Sequence, residues 1–427
     1  MARIAAKSLR EASCADDYDP NSMPVAKARE LIASFLAPVT AVERVPVRSA
    51  LGRVLAADVV SPIAVPGHDN SAMDGYAVRF ADLAPDGDTV LKRVGESFAG
   101  KPWNGSIGAG ECVRIFTGGV MPQGADTVVM QERAREDERG VHIAPGAVAK
   151  AGTNRRFAGE DLKQGQTVFR AGQRVRPAEL GMIASLGIGE VSVYRRLRVA
   201  FFSTGDELKS VGTALAAGEI YDSNRYTLHG MLARLGCETV DMGVVEDARD
   251  KLERAFATAA DAADVVITSG GVSVGEADYV KQLLDKLGEV LFWKIAMKPG
   301  RPLAYGKIGK AHFFGLPGNP VSVMVTFYEF VRDALLALQG EREIQPLPTF
   351  KVPLSAPIKK APGRTEFQRG ILSADGNGGW NVRTTGDQGS GILSSMSRAN
   401  CFIVLPTETG NVAAGELVDV QLLEGLI

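Results

Sequence analysis

The stretch Asp264-Val-Val-Ile-Thr-Ser-Gly-Gly-Val-Ser-Val-Gly-Glu-Ala-Asp278 decides the fold. Its apolar run, residues 265–267, is typical of a strand that is buried on both faces of a parallel sheet. Leucines at helical spacing follow at Leu283, Leu284 and Leu287. Hydroxyls, glycines and carboxylates therefore lie between a strand and a helix, which is the carboxyl edge of an open α/β sheet, where ligands bind.

Strand and helix patterns alternate on both sides of this stretch. Apolar β-branched runs predict strands, and apolar residues at i, i+3 and i+4 predict helices. This alternation indicates right-handed crossovers and a doubly wound α/β domain with a mainly parallel sheet. The predicted strands are 199–203, 239–245, 290–295 and 313–316, and the predicted helices include 228–235, 252–259 and 321–338.

Shorter strands and frequent turn residues on either side predict a multidomain chain. We expect the helical pattern of 25–36 to pack on that of 177–186, which makes a discontinuous stalk interrupted by a small β domain. A second small, mainly β domain follows the α/β domain. The predicted divisions are a disordered extension at 1–20, the stalk at 21–64 and 160–192, the inserted β domain at 65–159, the α/β domain at 193–345 and the C-terminal β domain at 346–427.

Composition excludes several classes of protein. The 427 residues carry a formal net charge of −2, which gives no basis for a sequence-independent nucleic-acid surface. No apolar segment is long enough to span a membrane, and no signal sequence is apparent at the start. The cysteines have no paired spacing, so neither a zinc site nor a disulfide framework is predicted, and a reducing cytoplasm is expected. They are Cys14, Cys112, Cys237 and Cys401.

The loop after the central strand has the composition of a phosphate site. Gly270 and Gly271 allow a sharp turn with exposed amides, and the hydroxyls of Ser269 and Ser273 add donors without bulk. Thr204 follows the strand 199–203 in a similar position. The alternative is that such turns only connect a strand to a helix.

Four carboxylates follow strands whose carboxyl ends share one edge of the sheet. Hard oxygens beside a phosphate site would suit a hydrated Mg²⁺. The alternative for any one of them is a helix cap or a solvated surface position. The four are Asp206, Glu207, Asp247 and Asp278.

Three cations, Lys294, Lys298 and Arg301, lie near the end of the strand 290–295. In strand-like geometry Lys294 and Lys298 share a face, so their two ammonium groups could converge on one anion. Pro317 and Pro320 mark the amino end of the last long helix, a second positive pole. The alternative is a solvated basic rim. The histidines show no nucleophile or metal-ligand pattern, and a Ser-His-Asp hydrolase has no support.

Motifs in order along the chain resemble the molybdopterin molybdenumtransferase family, the bacterial molybdenum-insertion enzymes, which are similar to the carboxyl-terminal domain of gephyrin. The resemblance covers Pro24 to the end of the chain. It rests on Val65-Pro-Gly-His-Asp-Asn-Ser-Ala-Met-Asp-Gly-Tyr-Ala-Val-Arg79, Arg114-Ile-Phe-Thr-Gly118, Gly159-Glu-Asp161, Ser203-Thr-Gly-Asp-Glu207, the opening stretch, Lys298-Pro-Gly-Arg-Pro302, Leu316-Pro-Gly-Asn-Pro320, and Gly363-Arg364 with Gln368-Arg-Gly370.

The resemblance implies a four-domain subunit that acts as a homodimer. Its site would form between the α/β, molybdopterin-binding domain of one chain and the inserted domain of the other. The implied reaction is insertion of molybdate into the dithiolene of adenylylated molybdopterin, with Mg²⁺-dependent release of AMP. A molybdopterin adenylyltransferase is the implied upstream partner.

The resemblance also implies roles for individual residues. Asp74 and Thr117 would be partner-side contacts, and Asp161 lies in the family's acidic turn. The family's functional carboxylates correspond to Glu207, Asp247 and Asp278, and its anion-binding cations to Lys294, Lys298 and Arg301. Arg369 and Ser390 would be the contribution of the last domain. Arg301 replaces a lysine of many relatives, so the geometry of the bound oxyanion there stays open.

Two other functions remain in view at this point. One is molybdopterin adenylyltransferase, whose glycine-rich loop reads differently and which lacks the flanking domains. The other is a non-enzymatic scaffold of the gephyrin kind. The lack of a long linker and of a fused second domain in this sequence argues against that function. Sequence alone does not separate molybdate from tungstate.

Overall fold

The first helix belongs to the core of the α/β region. The computed structural model describes residues 23–271, 282–284 and 286–423; the predicted extension at 1–20 lies outside them. Helix α1 (Val25–Ser34) begins after Pro24, where the missing N–H of a proline costs no helical hydrogen bond. Its Leu31 and Ile32 pack in the largest hydrophobic core, among the residues of the α/β sheet.

The expected packing of α1 on the second helix is wrong. Helix α2 (Pro177–Ser185) buries Ile183 in a separate core, which also holds Val47 and Val193. The apolar face of α1 is instead buried in the α/β core. Arg29 on the same helix pairs with Glu329 in the last long helix of the α/β region.

The chain between residues 42 and 194 forms antiparallel pairs and one six-stranded sheet. The pairs are β1–β12, β2–β11 and β3–β10, and the sheet order is β7-β4-β6-β5-β9-β8. The strands are β1 (Val42–Pro46), β2 (Val59–Val60), β3 (Asn70–Ser71), β4 (Gly75–Val78), β5 (Thr89–Ser97), β6 (Glu111–Ile115), β7 (Thr127–Met130), β8 (Ala134–Asp137), β9 (Gly140–Ile143), β10 (Arg155–Arg156), β11 (Thr167–Phe169) and β12 (Glu190–Tyr194), with 3₁₀ turns at Val47–Ala50, Phe80–Asp82 and Gln131–Arg133.

The α/β region is built on a second six-stranded sheet, of order β16-β13-β17-β21-β20-β18. The strands of the region are β13 (Arg198–Thr204), β14 (Leu208–Lys209), β15 (Ile220–Tyr221), β16 (Glu238–Val245), β17 (Val265–Ser269), β18 (Gly288–Lys294), β19 (Met297–Lys298), β20 (Pro302–Ile308) and β21 (Ala311–Leu316). The helices are α3 (Asn224–Arg234), α4 (Arg249–Ala262), α5 (Pro320–Thr326), a π-helical segment (Phe327–Val331) and α6 (Arg332–Leu338).

The central strand β17 is buried along its whole length, as its apolar run predicted. It pairs in parallel with β13 on one side and β21 on the other. Helices α3, α5 and α6 pack on one face of the sheet, whereas α4 and the leucines 283 and 284 pack on the other. This confirms the doubly wound α/β architecture.

One strand of this sheet was not predicted. β20 runs antiparallel to both β21 and β18, so the sheet is mainly but not wholly parallel. Because two reversals restore the original direction, β18 still ends at the same edge of the sheet as β13, β16, β17 and β21. This carboxyl edge is called the rim below. The loop after β18 therefore leaves the rim on which the ligand-binding loops were predicted to gather.

The C-terminal region forms a third sheet, of order β19-β23-β25-β26-β22, with β24 paired to β23. Its core includes Val352, Val382 and Ile403. The elements are β22 (Thr349–Pro353), β23 (Thr365–Ala374), β24 (Trp380–Thr384), helix α7 (Leu393–Arg398), β25 (Cys401–Leu405) and β26 (Leu417–Leu422). Nowhere in the described part of the chain is a helix both long and apolar enough for a membrane span.

Candidate functional site

Three loops meet where β13, β17 and β21 end. Gly270, which follows β17, donates its N–H to the carbonyl of Leu316 at the end of β21, at 3.1 Å. Its φ of +93° is in the left-handed region, and a Cβ there would lie 2.4 Å from the carbonyl oxygen of Thr204 at the end of β13. Only glycine permits both the conformation and the close approach. The rim is thus packed backbone against backbone.

Asn224 is hydrogen-bonded through its side chain to two of these loops. It is the first residue of α3, and its Nδ2 donates to Ser269 Oγ and to the carbonyl of Gly318, both at 2.7 Å. Gly318 lies between Pro317 and Pro320, so Asn224 holds the turn that leads into α5. The predicted positions Ser269, Gly270, Pro317 and Pro320 are therefore brought together around a side chain that sequence reasoning missed.

A buried carboxylate supports the end of β13. Asp222 accepts a hydrogen bond from Ser203 Oγ at 3.0 Å and one from Arg225 Nε at 3.2 Å. Arg225 also pairs with Asp241 on β16. Asp222, Asn224 and Arg225 were not predicted. The signal that could have identified them is the run Asp222-Ser-Asn224 at the start of a helix, which is typical of a capping segment.

Two polar atoms of this rim are shielded from solvent and lack a hydrogen-bond partner in the described residues. They are Thr204 Oγ1 and Asn224 Oδ1. Thr204 Oγ1 lies only 2.9 Å from the position that a Cβ on Gly271 would occupy. Burial of an unsatisfied polar atom costs about 1–3 kcal/mol. Such atoms mark a place where a ligand can supply the missing hydrogen bonds.

The acidic residues lie on the two loops next to this rim. The N–H of Asp247, after β16, is 3.4 Å from Asp206 Oδ1, which joins the loops after β16 and β13. The carboxylate of Glu207 folds back beneath Gly205, where a Cβ would come within 2.7 Å of Oε2. Within 23–271, 282–284 and 286–423, no three His, Cys, Asp or Glu side chains are grouped to hold a metal ion. Asp278, predicted as a third ligand, and Ser273 lie outside the described residues.

Lys294 and Lys298 do not share one strand, which corrects our expectation. Lys294 ends β18 in the α/β sheet, whereas Lys298 lies in β19, which pairs with β23 of the C-terminal sheet. A tight turn separates them, because the N–H of Met297 bonds to the carbonyl of Ile295 at 2.8 Å. The chain thus crosses between two domains at this point, and Arg301 follows on the return.

Lys298 is held by the C-terminal sheet. Its half-exposed Nζ lies 3.4 Å from Glu366 Oε1. Glu366 is buried and accepts a second hydrogen bond, from Gln368 Nε2 at 2.9 Å. The peptide bond between Lys298 and Pro299 is cis. An ammonium group with one buried carboxylate partner and a solvent-facing side has free donors for an anion.

Arg369 lies deep in the C-terminal domain, although it was predicted as a contact. It is 1% exposed, and its guanidinium donates to Ser395 Oγ and to the carbonyl of Gly389, both at 2.9 Å. Burial lowers the pKa of Arg369 to about 10. Next to Gly389, Ser390 accepts the N–H of Val321 at the start of α5, at 3.1 Å. Arg369 thereby braces the segment that brings Ser390 to the rim.

Asp74 and Thr117 are joined in the sheet of the inserted region. Asp74 Oδ1 accepts the N–H of Thr117 at 2.7 Å and its Oγ1 hydroxyl at 2.8 Å. These two hydrogen bonds lower the pKa of Asp74. Asp161 is exposed, and its N–H bonds to the carbonyl of Val65. These three predicted residues are carried by residues 65–162 and not by the loops of the α/β sheet.

Comparisons with known proteins agree with this architecture along the chain. Residues 23–187 match the MoeA N-terminal region (domains I and II), residues 200–337 a probable molybdopterin binding domain, and residues 351–423 the MoeA C-terminal region (domain IV). The chain is 46% identical to the molybdopterin molybdenumtransferase of Haemophilus influenzae, over 91% of this chain and 95% of that protein. It is 36% identical to that of a Nostoc species, over 88% and 87%.

A crystal structure matches across nearly the whole chain. The molybdopterin biosynthesis MoeA protein of Pyrococcus horikoshii superposes with a TM-score of 0.82 at 29% identity, over 94% of this chain and all of that one. Domain order, fold and sequence identity lead to the same conclusion. The chain belongs to the molybdopterin molybdenumtransferase (MoeA) family, enzymes of molybdenum cofactor biosynthesis.

Proposed function

We propose that this chain inserts molybdate into adenylylated molybdopterin, with Mg²⁺-dependent release of AMP. The observation that carries the proposal is the junction of loops at Thr204, Gly270 and Gly318, where Thr204 Oγ1 and Asn224 Oδ1 have no described partner. A nucleotide-bearing ligand at the rim can satisfy such atoms directly or through water.

The glycine-rich rim would hold the nucleotide part of the substrate. Backbone amides at positive-φ glycines form a concave donor surface that suits phosphate oxygens. The residues that we assign to substrate binding there are Thr204, Asp206, Ser269, Gly270, Gly271, Ser273, Pro317 and Pro320.

The cations would hold the oxyanions. Lys294 and Lys298 lie on strands of two different sheets, so an anion held by both would bridge the α/β and C-terminal domains. We assign molybdate and the pyrophosphate group to these two lysines with Arg301, since fixed cations stabilise transferred oxyanions. Ser390 would complete this side, and Arg369 would keep its segment in position.

The carboxylates would hold Mg²⁺. Mg²⁺ is usually bound by one or two carboxylates together with phosphate oxygens and waters. Glu207 and Asp247, which lie on adjacent loops, would supply such carboxylates. Asp278 is the third proposed ligand. When bound, the ion would neutralise phosphate charge during cleavage. The protein carboxylates would also orient the attacking group.

The inserted domain would act on a second copy of the chain. Asp74, Thr117 and Asp161 lie in the inserted region, and in a homodimer these residues would close over the rim of the partner. The adenylylated substrate requires an upstream molybdopterin adenylyltransferase. We place the reaction in the cytoplasm, in agreement with buried free cysteines such as Cys112 and Cys401.

The direct test is release of AMP from adenylylated molybdopterin by the purified protein. We expect AMP with Mg²⁺ and molybdate present, and none after chelation of divalent ions. Asp247→Asn and Lys298→Gln should each lower the rate by about tenfold or more, because each removes a charge that is used during transfer. A parallel reaction with tungstate measures the preference between the two oxyanions.

Asp250→Asn is the matched control, since Asp250 is an exposed carboxylate near the start of α4 that pairs with Arg254. Its rate should equal that of the unaltered protein. AMP release that needs no metal, or that both site variants leave intact, would contradict the proposal. Formation of adenylylated product from ATP and molybdopterin would favour an adenylyltransferase instead.

A further inference from the structure

A cavity of about 600 Å³ lies between the stalk and the end of the α/β region. One wall is residues 170–176, which follow β11, and the other is formed by the end of α3, by α6 and by the segment after α6. Its lining shares no residue with the rim described above. The lining is rich in guanidinium groups: Arg170, Arg174, Arg176, Arg234, Arg332 and Arg342.

Only two carboxylates line the same cavity, Glu341 and Glu343. Glu341 is already paired within the protein, because its Oε2 accepts hydrogen bonds from Nε and Nη2 of Arg174 at 3.0 and 2.9 Å. Arg174 also bonds to Gln339 and to the carbonyl of Gly52. This pair therefore joins the stalk to the α/β region and leaves the remaining lining with an excess of positive charge.

Arg332 is the buried member of the group. It is 6% exposed and lines the cavity, and one of its Nη atoms pairs with Asp333. Its Nε is shielded from solvent and has no hydrogen-bond partner among the described residues. A buried guanidinium N–H without an acceptor is costly, so this atom gains from an anionic oxygen in the cavity.

Arg170 and Arg342 line the cavity from its two different walls. The N–H of Arg342 bonds to the carbonyl of Gly172, and its side-chain carbons lie against Gly172, where a Cβ would meet Cγ at 2.4 Å. Both guanidiniums lack an ion pair within the described chain. Guanidinium groups on separate elements can each form bidentate hydrogen bonds to a different phosphate group.

We propose that this cavity binds a small anion that carries two or more phosphate groups. Its volume is in the range of small-molecule sites, which often lie between domains. Among the described residues that line it, none is aromatic, so recognition rests on phosphate charge and not on stacking of a base. A bound anion would bridge the stalk and the α/β region.

The test is titration calorimetry of the full chain with inorganic pyrophosphate at physiological salt. The Lys298→Gln background with a chelator removes competing binding at the proposed molybdate site. We expect one pyrophosphate per chain, with orthophosphate bound more weakly. Arg170→Gln with Arg342→Gln should weaken pyrophosphate binding by about tenfold or more, because two charge-assisted contacts are lost.

Arg139→Gln with Arg383→Gln is the control pair, since Arg139 is exposed in the turn between β8 and β9, Arg383 is exposed on β24, and the change in net charge is the same. It should leave pyrophosphate affinity within about twofold. Thermal unfolding of each pair shows whether the fold is retained, and pyrophosphate should raise the unfolding temperature of the control pair only. Absence of binding, or equal loss in both pairs, overturns the proposal.

Discussion

Thr204 has a buried hydroxyl that no described protein group satisfies, and we propose that this hydroxyl binds the substrate. Its neighbour Ser203 bonds to Asp222, so the two adjacent hydroxyls at the end of this strand would have different tasks, Ser203 in the fold and Thr204 in ligand binding. The Ser203 hydroxyl is paired with Asp222, whereas the Thr204 hydroxyl, which lies beside Gly270 and Gly271, has no described partner.

Thr204→Val tests this division of tasks. Because the lost hydroxyl has no partner, we expect the free energy of unfolding to stay equal or to rise by up to about 1 kcal/mol. Binding of the adenylylated substrate should weaken by about tenfold. Urea denaturation and substrate titration measure the two quantities.

The matched control is Thr326→Val in α5. Thr326 is fully buried, and its Oγ1 donates to the carbonyl of Ser322 at 2.7 Å, so this variant should lose about 1 kcal/mol of stability. Equal destabilisation of the two variants would show that the hydroxyl of Thr204 has a structural partner after all.

His312 makes stability depend on pH. Burial lowers the pKa of His312 to about 4, whereas an unfolded histidine titrates near 6.5. Between these values the unfolded chain binds more protons, so the free energy of unfolding falls as the pH drops from 6.5 to 4. We expect a loss of up to about 3 kcal/mol over this interval.

Urea denaturation at a series of pH values, compared with His312→Gln, checks this expectation. The variant should show a shallower decline between pH 6.5 and 4 because it lacks the titrating group. His229→Gln, an exposed position on α3, should retain the full decline. A profile that His312→Gln leaves unchanged would assign the effect to other groups.

At the level of single residues, sequence identified the glycines and hydroxyls of the rim but not their supports. Ser269 and Gly270 stand out because their residue types are unusual directly after an apolar strand. Asn224 and Asp222 do not, since a polar pair before a helix is also an ordinary capping segment. Their importance arises from contacts with residues far away in the chain, such as Gly318, which local patterns do not encode.

Among the elements, the long helix after Pro320 joins three parts of the molecule. Its π-helical segment contains Glu329, whose side chain is fully shielded. Arg29 of α1 pairs with this carboxylate, and Gln421 Nε2 of β26 donates to Oε1 at 3.0 Å. π-helical turns often occur where a side chain must be placed specially. Here the turn places one carboxylate between the first helix and the last strand.

Glu329→Gln should therefore destabilise the chain by about 1–3 kcal/mol, because it leaves Arg29 without its counter-charge in a partly buried position. Urea denaturation measures the loss. Glu253→Gln is the control, since Glu253 pairs with Lys286 on the surface and should cost less than about 1 kcal/mol. If the two variants cost the same, Glu329 does not join the three segments.

The elements themselves show what sequence patterns can predict. The strands β13, β16, β17 and β21 were predicted to within a residue or two, because their apolar runs are bounded by turn residues. β20 was missed, since Pro302 and Gly306 interrupt its apolar pattern. The separation of Lys298 from Lys294 was also missed, because nothing in the local sequence says that β19 joins a different sheet.

For the whole molecule, the predicted site residues of the inserted region are separate in the chain from those of the α/β and C-terminal regions. Glu207, Asp247 and the glycines lie on loops of the α/β sheet, whereas Asp74 and Thr117 are bound to each other in the inserted region. Sequence resemblance suggested this division, but no pattern within a single chain specifies how two chains meet. The contact between subunits is therefore best tested by mixing variants.

Two inactive variants should restore activity when they are mixed, if each site uses two chains. Asp74→Asn and Asp247→Asn would each inactivate both sites of their own homodimer. After subunit exchange, a mixed dimer has one site with both changes and one unaltered site. Random pairing of equal amounts makes about half of the dimers mixed, so AMP release should recover to about one quarter of the normal rate.

The control is a mixture of Asp247→Asn with Lys298→Gln, because these two residues would belong to the same chain's side of the site. Every mixed dimer then contains a defect in each site, and no recovery is expected. Recovery in this control as well would mean that the two residues act in different chains. If neither mixture recovers although mass measurement shows exchanged dimers, Asp74 acts on its own chain, and the site is complete in a single subunit.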